Sequence, residues 1–140
     1  MKYTYNDGGR EAAGFKGKTG DCVTRAVAIA SGKPYAEVYA ALSQGMGDQR
    51  KSKGATARNG VSTKRKWFKD YMASLGFKFV PCMGIGTGCK VHLRDGELPM
   101  GRIITRVTRH YVAVVDGVMQ DTFDASRNGT RCVYGYWVQS

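Results

Sequence analysis

The sequence predicts an α+β domain, with helices first and an antiparallel sheet after them. Three observations carry this. Apolar residues between Val23 and Leu75 recur at the three- and four-residue spacing of helices. After Gly76 the period changes to two, the spacing of strands. Asp116-Gly117 then sits between two β-branched runs as a two-residue hairpin signal. Helices and strands that are segregated along a chain, rather than alternating, mark α+β architecture. At 140 residues the chain suits one core, so a single domain spanning 1–140 is expected.

Residues 1–20 are polar and rich in glycine and read as an extended arm. Asp21 can cap a helix that opens at Cys22, buries Val23, Ala26, Val27 and Ala30, and ends at Gly32. Pro34 suits the first turn of a second helix, with Tyr35, Val38, Tyr39 and Leu42 as its apolar stripe. Residues 43–60 are basic and weakly patterned and are expected to be a mobile surface loop. A third helix is predicted over Thr63 to Leu75, with Trp67, Phe68, Tyr71 and Met72 facing the core. Strands follow at Phe77–Pro81, Arg102–Val107, His110–Val115, Val118–Phe123 and Arg131–Trp137.

Composition narrows the function classes. The net charge is +11, from 22 basic and 11 acidic residues, which favours anionic partners. Eight basic residues fall within 50–69, namely Arg50, Lys51, Lys53, Arg58, Lys64, Arg65, Lys66 and Lys69, with no acid among them. No apolar run approaches the roughly 20 residues that span a bilayer. The N-terminus lacks the apolar stretch of a secretory signal. A cytoplasmic protein with no membrane partner is therefore expected. In a reducing compartment the four cysteines would be free, buried, metal-bound or catalytic.

Cys22 and His110 are the residues that suggest chemistry. A thiol at the start of a helix sits in the positive end of the helix dipole, which favours the nucleophilic thiolate. His110 opens a predicted hairpin strand. With Asp116-Gly117 as the turn, Val115 pairs with Val118, Val112 with Asp121 and His110 with Phe123. Residues of one parity share a face, so His110 and Asp121 are diagonal neighbours. Asp121 can accept the imidazole Nδ1–H and leave Nε2 for the thiol. Asp124, on the opposite face unless the strand bulges, is the reserve acid.

The segment GDCVTRAVAIASGKPYAEVYAAL resembles the nucleophile helix of compact papain-like cysteine peptidases, and GRIITRVTRHYVAVVDGVMQDTFD resembles their histidine strand and return strand. The segments around Cys22, Met83–Leu93 and Arg131–Trp137 resemble small proteins of tailed phages and prophages. The papain-like resemblance implies a Cys22 nucleophile, a His110 base and an orienting Asp121. It implies hydrolysis of a peptide, isopeptide or other amide bond through an acyl-enzyme, with no cofactor. The phage resemblance implies a host-cell or virion setting. Papain-like enzymes place Gln or Asn shortly before the nucleophile as an oxyanion donor. Residues 15–21 contain neither, which leaves Thr19, Lys16 or the more distant Asn6 as candidates.

Other readings compete. The alternative function is a phage binding module whose basic residues, Arg50, Lys51, Lys53, Arg58, Lys64, Arg65 and Lys66, hold nucleic acid or a host protein, with Trp67 available for stacking. The predicted place of Trp67 in the core, and the lack of a nucleic-acid-binding motif, rank this below a peptide or protein substrate, acidic in character. Cys82, Cys89, His92 and Cys132 form a nominal zinc set, but the gap from Cys82 to Cys89 exceeds that of zinc knuckles and Cys132 is distant. No metal is therefore expected. Gly84-x-Gly86-x-Gly88 lacks the lysine and following helix of a phosphate loop.

Overall fold

A computed structural model describes residues 1–14, 21–47, 63–83, 86 and 88–139. Three helices pack on an open, six-stranded mixed sheet. The elements are β1 (Lys2–Tyr5), α1 (Cys22–Ser31), α2 (Tyr35–Gly47), α3 (Lys66–Ser74), β2 (Phe77–Pro81), β3 (Arg102–Val107), β4 (His110–Val115), β5 (Val118–Asp121) and β6 (Gly135–Gln139). The sheet order is β1-β5-β4-β3-β6-β2. The α+β class expected from the sequence holds.

Each face of the sheet carries a core. On one face Val23, Ala26, Val27 and Ala30 of α1 join Val38 and Leu42 of α2, Phe68 and Met72 of α3, and Ile104, Tyr111, Ala113 and Trp137 of the sheet. The other face buries Ile103, Val107, Val112, Val114 and Met119 beneath Leu93, Ala125 and Val133. Strands β3 and β4 are therefore covered on both sides, which fits the near-continuous apolar run of β4. The β4–β5 register matches the predicted hairpin, with Val115 opposite Val118 and Ala113 opposite Gln120. Asp116 and Gly117 both have positive φ, as the tight turn requires.

Five expectations need correction. The sheet is not wholly antiparallel, because Lys2–Tyr5 of the N-terminal arm pairs in parallel with β5 at one edge. Helix α2 runs on to Gly47, into the segment expected to be a loop; Gly45 lets it lie against the ring of Trp67, whose atoms occupy the space a Cβ would need. The rest of that basic segment, from residue 48 to residue 60, lies outside the described residues. Strand β5 stops at Asp121 rather than Phe123, because the Thr122 N–H turns back to the Asp121 carboxylate, 2.7 Å away. Residues 131–133 pair with the loop around Val91 and Leu93 instead of joining the last strand, which begins at Gly135. That pairing brings Cys89 and Cys132 to a Cα separation of 5.9 Å, and they form a disulfide rather than free thiols.

Candidate active site

Cys22 occupies the first helical position of α1, as expected, and Gly32 closes the helix in the left-handed conformation at φ 74°. Asp21 does not cap it: the carboxylate makes no hydrogen bond to the helix N–H groups. The Cys22 thiol lies against the His110 imidazole and the Tyr111 backbone. His110 opens β4, and its Nε2 lies 2.5 Å from Asp121 Oδ2 at the end of β5. The three groups form a row in the order Cys22, His110, Asp121. Phe123 stacks obliquely on His110 with ring centroids 5.2 Å apart, covering the side of the imidazole.

The ring is turned opposite to expectation. Nε2, not Nδ1, bonds Asp121, and Nδ1 is left for the thiol.

The electrostatics favour an ion pair. Burial pushes the Cys22 thiol up, but the hydrogen bond and charge of His110, the Tyr111 backbone and Arg25 together bring it below its ordinary value. Burial pushes His110 down, yet the hydrogen bonds and charges of Asp121 and Cys22 together outweigh it and raise the imidazole to about 9. Both shifts favour thiolate facing imidazolium near neutral pH.

Behind this row lies a buried charge network. Arg25, one turn into α1, bonds Asp21 with one guanidinium nitrogen and reaches Asp121 Oδ1 at 3.3 Å with the other. Asp21 also accepts the Tyr35 hydroxyl at 2.5 Å and faces Arg10 Nε at 3.4 Å. Burial and the hydrogen bond to Asp21 push the Tyr35 hydroxyl up. Burying a carboxylate this deep is costly without such partners. Arg25 and Arg10 were not singled out from the sequence, and Asp21 and Tyr35 were read only as a helix cap and an apolar-stripe residue. The usable signal was Asp21 and Arg25 at i, i+4 on a helix otherwise lined by valine and alanine.

The remaining candidates fall as follows. Asp124 is exposed and accepts both the N–H and the hydroxyl of Ser126, so the reserve acid does not bond His110. Asn6 has both ends of its amide occupied, donating to Gln120 and accepting from the Gly8 N–H. It fastens β1 to β5 and is not an oxyanion donor in this arrangement. Thr19 and Lys16 lie outside the described residues, as do Arg50, Lys51, Lys53 and Arg58. Lys64 and Arg65 are exposed at the start of α3, and Lys66 pairs with Asp70 at 2.8 Å. Trp67 packs edge-on against Phe68 with centroids 6.0 Å apart, partly buried on the core.

The nominal zinc set does not assemble. Cys89 and Cys132 are bonded to each other, and His92 Nδ1 faces Glu97 at 3.2 Å. Among the described residues no three His, Cys, Asp or Glu side chains are arranged to hold a metal ion. No described helix is long and apolar enough to cross a membrane. Compared with known proteins, the chain matches no family model, no curated sequence and no solved structure.

Proposed function

We propose that this protein is a papain-like thiol hydrolase that cleaves a peptide, isopeptide or other amide bond through an acyl-enzyme at Cys22. The observation that carries the reading is the row Cys22–His110–Asp121, with a half-buried imidazole between a thiol at the start of a helix and a carboxylate. A histidine held only for packing has no need of both neighbours.

In this mechanism the Cys22 thiolate adds to the substrate carbonyl, forming a carbon–sulfur bond and an oxyanion. The Cys22 N–H, one of the orphan donors at the start of α1, is available to that oxyanion. A second donor from Thr19 or Lys16 would complete the site. The His110 imidazolium gives its proton to the leaving amine as the carbon–nitrogen bond breaks. Neutral His110 then takes a proton from water, which attacks the thioester and releases the acid. Asp121 keeps the ring in one tautomer and orientation throughout. Arg25 holds the Asp121 carboxylate in place.

The alternative, a phage module that binds nucleic acid or a host protein through its basic face, draws support from the exposed Lys64 and Arg65. It gives no role to the buried thiol–imidazole–carboxylate row, and Trp67, packed against Phe68, is a poor stacking platform.

Incubation with a peptide library from a digested bacterial proteome tests the proposal. New termini should appear with wild type and vanish with Cys22→Ala. Equal cleavage by both proteins, or none by either, would contradict it.

A further inference from the structure

We propose that Arg106 is the specificity-determining residue of this site and binds a carboxylate of the substrate next to the scissile bond. The inference rests on the thiol-hydrolase reading. On β3, Arg102 and Arg106 share one face with Ile104, which lies in the core beneath α1. Arg102 donates to the Ile29 and Ala30 carbonyls at the C-terminal end of α1. Arg106 is four strand residues further on, roughly 13 Å. The ten residues of α1 span about 15 Å. Arg106 therefore comes level with the other end of the helix, where Cys22 sits.

Neighbours agree with that placement. Arg106 stands directly opposite Tyr111, whose backbone touches the Cys22 thiol. Its guanidinium is close enough to lower the Tyr111 hydroxyl, against the larger upward push of burial. On its other side Arg106 pairs with Gly135, and the Phe79 ring occupies the space where a Cβ on Gly135 would go. Arg106 is thus a half-buried cation in line with Tyr111 and Gly135 across three strands. No described acid forms an ion pair with its side chain. Arg25 is neutralised by Asp21 and Asp121 and Arg102 is spent on helix carbonyls. Among the described residues, the guanidinium left for a ligand on this face is that of Arg106, and its planar fork suits a carboxylate. A peptide crossing the start of α1 with a glutamate or aspartate beside the reacting carbonyl would meet it.

Two thiol-directed probes of equal size test this: chloroacetyl-glutamate amide and chloroacetyl-glutamine amide. Each transfers its acetamide carbon to Cys22 as chloride leaves, and mass spectrometry gives the rate. In wild type the glutamate probe should react about tenfold faster, the worth of one charge-assisted hydrogen bond. Arg106→Gln should bring the ratio close to one, chiefly by slowing the glutamate probe. Arg106→Lys, which keeps the charge and guards against a folding defect, should retain part of the preference. Arg109→Gln, beside His110 but exposed in the turn, should retain all of it. A wild-type ratio near one, or a ratio that survives Arg106→Gln, overturns the proposal while Cys22 stays reactive. If Cys22 reacts no faster than Cys82 with either probe, the hydrolase reading itself fails, and this inference falls with it.

Discussion

Arg25 is the residue on which the site depends without touching the chemistry. It is nine-tenths buried between Asp21 and Asp121, both still deeper. Arg25→Met would take the guanidinium from between two buried carboxylates, leaving Asp21 with Tyr35 and Arg10 and Asp121 with His110, which costs about 3 kcal/mol. Urea denaturation should show that loss, and Asp21→Asn in the same background should recover part of it. Cys22, His110 and Asp121 were legible because hairpin arithmetic places His110 diagonal to Asp121, and the observed register follows it. The choice of ring nitrogen was not legible, since strand pairing places the imidazole beside the carboxylate but does not set its ring rotamer. Nor was the Arg25 network: a polar pair on an apolar helix looks the same whether it faces water or a second buried acid.

At the level of elements, packing against the helices decides what pattern alone leaves open. Helix α2 outran its apolar stripe because Gly45 gives Trp67 room, a contact that only the tertiary fold creates. Gly45→Ala should raise helix propensity by about 1 kcal/mol yet drive a methyl into the indole. The expected net effect is destabilisation by about 1–3 kcal/mol, read from the thermal midpoint. Strand β1 was hidden for a related reason: four residues at a sheet edge, mostly exposed, carry little alternation to detect. The β3–β4–β5 meander was read almost to the residue, since β-branched runs and an Asp-Gly turn are strong local signals.

For the whole molecule, the thiol–imidazole pair has an unusual consequence for stability against pH. His110 is raised in the folded state, so its own contribution is full below the ordinary imidazole value, about 6.5, and is lost as pH rises through about 9. Cys22 is lowered, so its contribution runs the opposite way: full above the ordinary thiol value, about 8.5, and lost as pH falls. Between these ordinary values the two slopes oppose one another, so the pH dependence that the pair gives wild-type stability should be shallower than that of His110 alone. Cys22→Ser removes one side of the balance. Its urea midpoint should fall with rising pH in that window, because Asp121 still holds His110 protonated in the folded state. A parallel pH profile for the two proteins would contradict this.

The central claim is that Cys22 is a thiolate because His110 is beside it. The most direct measurement is the iodoacetamide alkylation rate of Cys22 against pH, in wild type and His110→Ala, with Cys82 as the internal reference. Burial raises the Cys82 thiol and no cation lowers it. The account predicts that wild-type Cys22 reacts well below the ordinary thiol pKa of about 8.5 and that His110→Ala shifts its profile upward toward that of Cys82. Coincident profiles for Cys22 and Cys82, or a Cys22 profile unmoved by His110→Ala, would contradict it.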